Sequence, residues 1–295
     1  MSDKARTLRK IKPDFQDEFF ITLNKILLPL GGKSFEKTAM DVAFYIAHEY
    51  GAKLDIIHVG RALNSFIDNY LAKLNKYKIN YDLTYIKNKQ IAKAVIEYWN
   101  RHKYRLVIMA ARRKPSFFDK IIVNSVSNQV IKNIEAEILQ VFPPKLEKLA
   151  TKMKKIAILL PYSNRDPFLL RWASAIAAPQ KNATINVYHV NIVPEVIPLD
   201  QAVNEKEIKK ENLEFEKYVN QYEEIFGRIL KTKIVLGHDV FSTLEYIFEK
   251  DEPDLVIIGR TKNESFLSFL SRPLSCKIRD KLLNPSVVIH HMKES

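Results

Sequence analysis

The chain repeats itself, and the repeat leaves little freedom in how it can fold. Short apolar runs fall at residues 25–29, 54–59, 81–85, 106–109 and 138–141, and again at 155–161, 185–190, 232–236, 255–258 and 286–289. In each set the first run ends in proline (Pro29, Pro161), and the second ends in His-Val (His58 and Val59, His189 and Val190). Pro29 and His58 are 29 residues apart, and Pro161 and His189 are 28 apart. The fourth and fifth runs begin 32 residues apart in one set and 31 in the other. Landmarks met twice in one order at one spacing mark a single fold used twice.

Helical patterns separate the runs. Residues 34–50 place Phe35, Ala39, Val42, Ala43, Ile46 and Ala47 on one face, and Gly51 supplies a C-terminal stop. Residues 88–101 align Ile91, Val95, Ile96 and Trp99, and their counterpart, opened by Asp239, aligns Leu244, Ile247 and Phe248. Strands alternating with helices predict an α/β fold in which each repeat is a mostly parallel, five-stranded sheet covered on both faces. The expected division is a tail at 1–20, a first domain at 21–144, a charged linker at 145–153 and a second domain at 154–295. The copies differ between the His-Val run and the fourth run, where 48 residues in the first become 66 in the second. The extra length brings Pro194, Pro198 and a charged stretch at 205–228, with Ile208, Phe215, Tyr218, Tyr222, Ile225 and Ile229 at helical spacing. That is an amphipathic helix, read as elaboration of the fold or as a lid or partner-docking element.

Composition narrows the function classes. At ~150 residues per domain, 295 residues fit two domains, and 46% hydrophobic residues suffice for two cores. A single cysteine, Cys276, excludes an intramolecular disulfide and a Cys-based zinc cluster. No apolar run approaches the ~18 residues of a membrane helix, so the chain is not expected to be membrane-embedded. The charged first twenty residues lack the apolar centre of a signal peptide, so a cytoplasmic location is expected. The net charge is +13, and residues 1–147 hold most of it, with 25 basic and 15 acidic side chains. Such a half suits anionic company or simply solubility. Only 7 glycines occur, which matters because phosphate-cradling loops are normally built from glycine.

With the strand ends in place, each half resembles a universal stress protein domain. The resemblance rests on Pro29, Gly31 and Gly32, on Ile57, His58 and Val59, and on Ile108, Met109 and Ala110 followed by Asn124, Ser125, Val126, Ser127 and Val130. In the second copy it rests on Pro161 and Asn164, on Tyr188, His189 and Val190, and on Ile257, Ile258 and Gly259 followed by Arg272, Pro273, Leu274, Ser275 and Ile278. It covers residues 22–291 and implies two Rossmann-like (adenine nucleotide alpha-hydrolase-like) domains. Some members of the family bind ATP at the carboxyl ends of the strands, as open α/β sheets do. The family loop G-x2-G-x9-G-[S/T] is altered here at nearly every point. In the first copy Ala110, Arg113 and Asn124 stand at the glycine positions, and only Ser125 persists. In the second Gly259 persists, but Lys262 and Arg272 replace the other glycines and Pro273 the hydroxyl residue. The adenine-side Asp becomes Gly31 in one copy and Ser163 in the other.

The resemblance and these departures together predict a non-enzymatic, cytoplasmic stress-response or regulatory protein that does not bind ATP in the family manner and needs no cofactor. A second reading keeps nucleotide or other anion binding, with weak ATP hydrolysis, through altered contacts; the candidate residues are Gly31, Gly32, Arg112, Arg113, Asn124, Ser125, Gly259, Lys262 and Arg272. Arg112, Arg113 and Lys114 could grip an anion with side chains where the family uses amides. A third reading is a docking module that regulates a transporter or other partner protein. In the family the fifth strands commonly pair across a two-fold axis, so residues 138–142 and 286–290 are expected to join the repeats as an intramolecular pseudo-dimer. Further association into a homo-oligomer stays open.

Other motifs weigh less. Residues 30–34 lie between a strand and a helix, but Leu27 occupies the first glycine position of a Walker A loop, and a tight turn with Ser34 as N-cap accounts for them equally well. His58 and His189 read as strand-end structure, and His290 and His291 lack a third metal ligand. Asp251 and Glu252 read as solvated loop acids. The basic cluster Arg101, His102, Lys103 and Arg105 lacks aromatics placed for base stacking, so nucleic acid is not an expected partner.

Overall fold

The computed structural model describes residues 23–59, 65–88, 90–112, 126–144, 153–160, 166–202, 206–227, 229–261 and 284–291. The first repeat runs β1 (Lys25–Leu30), a 3-10 turn (Ser34–Glu36) leading into α1 (Lys37–Tyr50), β2 (Lys53–Val59), α2 (Ser65–Lys76), β3 (Tyr81–Ile86), α3 (Ile91–His102), β4 (Leu106–Ala110), α4 (Val126–Asn133) and β5 (Glu137–Phe142). The second runs β6 (Lys155–Leu159), α5 (Asp166–Ala177), β7 (Thr184–Ile192), α6 (Leu199–Ala202), α7 (Lys206–Phe226), β8 (Leu230–Gly237), α8 (Val240–Asp251), β9 (Leu255–Thr261) and β10 (Ser286–His291). All ten apolar runs are strands. Gly51 ends α1 at φ 60, a left-handed position that suits glycine, and Asp239 caps α8 by accepting a hydrogen bond from the Ser242 N–H. Ile91, aligned in sequence with Val95 and Trp99, is 41% exposed, because it opens the first turn of α3.

The strands form one sheet in the order β3-β2-β1-β4-β5-β10-β9-β6-β7-β8. Within each repeat every pairing is parallel, and the two halves meet where β5 and β10 pair antiparallel, from Ser286 opposite Phe142 to His290 opposite Ile138. That seam explains why β5 is buried along its whole length: it is an interior strand with both faces covered. On one face a single apolar core crosses the seam, with α1 of the first repeat packed on α5 of the second and Tyr50 against Trp172. On the other face each repeat has a main core of its own, around Val95 and Trp99 in the first and Leu244 and Phe248 in the second, and a small cluster of Ala111, Phe142 and Val288 joins them at the seam.

The long helix α7 takes the place of α2 in the second repeat. Phe215, Tyr218, Val219 and Tyr222 are buried, and Phe215 stacks on His189 at 4.5 Å. The predicted stripe is therefore right in its middle and wrong at its end, since Ile229 lies beyond the helix and is 78% exposed. Gly237 closes β8 against α8: a Cβ there would lie 1.8 Å from Thr243 Oγ1 and 2.9 Å from Thr243 Cβ. Gly237→Ala is expected to cost about 1–3 kcal/mol in urea unfolding, as overpacking does. Adding Thr243→Ala should recover part of the loss, whereas an unchanged midpoint for Gly237→Ala would show that α8 shifts freely.

Candidate functional site

In each half the strand order reverses between the first and fourth strands, which places a crevice at the carboxyl ends of β1 and β4 and another at those of β6 and β9. The first crevice brings together residues eighty positions apart in sequence. Gly31 and Gly32 lead out of β1, and Arg112 leads out of β4, with its guanidinium 5.0 Å from the Phe35 ring. Gly32 has φ 73, a turn that favours glycine. A turn of this kind can present its amides to a bound anion.

They meet the chain's own carboxylate instead. The Gly31 N–H donates to Glu36 Oε1 at 2.7 Å and the Lys33 N–H donates to Glu36 Oε2 at 2.9 Å, with Glu36 only 6% exposed. A Cβ on Gly31 would sit 3.3 Å from that oxygen, so glycine lets the carboxylate come close. Glu36 also corrects the expected role of Ser34: the turn is held by the carboxylate two residues later, while Lys33 is the capping position and no Ser34 cap forms. The signal was present in the sequence as an acid three residues after Lys33, the spacing at which a side chain reaches back to free amides.

The second crevice is packed differently. A Cβ on Gly259 would lie 3.1 and 3.2 Å from the methyl groups of Leu169, so this glycine makes room for a leucine of α5. Arg113, Lys114, Asn124, Ser125, Lys262 and Arg272 lie outside the described residues, as do Cys276, Pro161, Ser163 and the tail at 1–20. Of the nine candidates the structure thus places Gly31, Gly32 and Arg112 around one crevice and Gly259 in the other.

The two strand-end histidines behave alike. His58 Nδ1 lies 3.1 Å from the Leu30 carbonyl, and His189 Nδ1 lies 3.2 Å from the Leu160 carbonyl, tying the second strand of each repeat to the end of the first. His290 is buried beside the seam with Nε2 3.1 Å from Gln140 Oε1, and Gln140 donates to Ser127 Oγ at 3.0 Å. Among the described residues no group of three or more His, Cys, Asp or Glu side chains converges as a metal site.

Two readings of the sequence need correction. Asp251 is not merely solvated: it accepts from the Tyr188 hydroxyl at 2.6 Å and from Lys233 at 2.7 Å. Burial pushes its carboxyl up, but hydrogen bonds from Lys233 and Tyr188 outweigh this and hold it below the usual aspartate range. The basic cluster at 101–105 does have aromatic neighbours, with Lys103 4.2 Å from the Trp99 ring and His102 4.4 Å from that of Tyr98. Trp99 and Tyr104 are buried, so their faces serve the fold and not a nucleobase.

Comparison with solved structures gives the fold. A universal stress protein from Archaeoglobus fulgidus DSM 4304 superposes with a TM-score of 0.59 at 14% identity, covering 94% of this chain and 100% of that one. A functionally unknown protein, PA1789, from Pseudomonas aeruginosa PAO1 gives 0.58 at 12%, covering 91% and 93%. The cytoplasmic domain of a prokaryotic cation chloride cotransporter gives 0.57 at 12%, covering 92% and 97%. No family model and no curated protein sequence matches the chain. The fold is that of a tandem universal stress protein, two Rossmann-like repeats in one chain. Among the described residues no helix is long and apolar enough to cross a membrane.

Proposed function

We propose that this chain is a non-enzymatic, cytoplasmic regulatory protein of the stress-response type, whose crevices do not bind ATP as nucleotide-binding universal stress proteins do. The observation that carries this reading is the Glu36 carboxylate on the Gly31 and Lys33 amides. A nucleotide bound in the family manner would have to seat its adenine end against a β1 loop whose amides are already taken by a buried carboxylate. Leu169 against Gly259 adds support in the second crevice.

The test is a thermal-shift titration of the full chain with magnesium-ATP. No shift is expected at millimolar nucleotide. A ligand at a hundred times its Kd stabilises the folded state by about 2.7 kcal/mol, so a saturable shift of that order would overturn the reading.

A second reading, that the protein docks on and regulates a transporter or another partner, is favoured by the likeness to the cotransporter domain over nearly the whole of both chains. The basic first half would then meet an acidic surface, and association should weaken steeply as salt rises.

A further inference from the structure

The second repeat ends in a sheet edge at β8. Among the described strands β8 is paired with β7 alone. Its first half carries Lys231 and Lys233, side chains of the kind that guard an edge against other strands. The guard then stops: Ile234, Val235 and Leu236 follow without a charge.

There the neighbouring elements form a groove of about 490 Å3. Ile208 of α7 lines one wall and Ile247 of α8 the other, with Ile234, Val235 and Leu236 between them. Successive strand residues point to opposite faces of a sheet, so a groove that touches three in a row lies along the edge itself. The walls belong to different cores, α7 packing into the one that crosses the seam and α8 into the separate core of the second repeat, so the helices flank the edge from opposite faces. Among the described residues lining the groove Asp200 is the one charged side chain, and Tyr246 on its lip is 59% exposed. Asn212 and Thr243 add polar groups to a mainly aliphatic lining, and such a slot along a strand edge, with a carboxylate at its rim, has the chemistry of strand addition.

We propose that β8 is a docking edge for an extended peptide of alternating apolar and basic residues, which adds an eleventh strand to the sheet with a cationic side chain facing Asp200. A second copy of this chain is a poorer occupant, because its own β8 lies between its own α7 and α8, and those walls collide before the edges meet. The proposal stands apart from the crevices, and ATP binding in either of them would leave it intact.

The probe is a synthetic octapeptide of alternating valine and lysine, capped at both ends, with a valine-glutamate octapeptide as its counterpart. Fluorescence anisotropy should show saturable binding of the first and at least tenfold weaker binding of the second. Hydrogen exchange should slow at the β8 amides of residues 230–237 and not at β3. Leu236→Pro removes a donor on the side of β8 that faces away from β7 and should abolish binding, and the exposed substitution Asp200→Lys, which leaves the core untouched, should reverse the preference between the peptides. Equal binding of both peptides, protection elsewhere than β8, an unchanged preference in Asp200→Lys, or concentration-dependent self-association through β8 without peptide would each overturn the assignment.

Discussion

Arg171→Ala is expected to destabilise the chain by about 3–5 kcal/mol, read as a lowered urea midpoint of the full-length protein. Arg171 lies on α5 of the second repeat and is only 2% exposed, yet its guanidinium donates to Glu137 on β5 of the first repeat. The same guanidinium lies 4.5 Å from the Trp172 ring and 5.2 Å from that of Phe168. Burial pushes its pKa down and the Glu137 carboxylate pushes it up; the balance falls below the usual arginine value. Removing the cation alone leaves Glu137 charged in a site closed to water, and that stranded charge sets the size of the loss. The double variant Arg171→Met with Glu137→Leu should therefore be clearly more stable than Arg171→Ala, because it removes both charges and keeps the volume. If single and double variants lose the same stability, the cost comes from packing at the α1–α5 contact and not from the ion pair.

Glu36→Ala should act on both stability and binding. Two backbone amides lose a charged acceptor, and hydrogen bonds to charged groups contribute about 1.5–3 kcal/mol each, so with water partly replacing the carboxylate a net loss of about 2–3 kcal/mol is expected. The emptied loop then offers its amides beside Arg112, an arrangement that favours anions. Inorganic phosphate should thus raise the melting temperature of Glu36→Ala more than that of the wild type, and Arg112→Ala in the same background should shrink the difference. An equal phosphate response in wild type and Glu36→Ala would show that the loop collapses once its carboxylate is gone.

Strand positions, the duplicated α/β pattern and the helix faces were legible because burial imposes a period on apolar residues. The His-Val landmarks were legible for a firmer reason, since His58 and His189 make the same contact to a neighbouring strand end. The site was only half legible. Its glycines and Arg112 stand out by position, but Glu36 leaves only a spacing cue, and its burial comes from the turn folding back. Asp251 misled in the same way, because its partners Tyr188 and Lys233 come from other elements.

The sequence by itself determined that one α/β unit is built twice, with apolar strands long enough to be covered on both sides. Only the tertiary structure decided which charges meet: Glu36 with its own loop, Glu137 with Arg171 across the seam, and Asp200 at the lip of the edge groove. The physical reason is one of range. Hydrophobic burial is non-directional and leaves a repeating trace along the chain, whereas hydrogen bonds and ion pairs act over a few ångströms between residues that sequence spacing keeps apart.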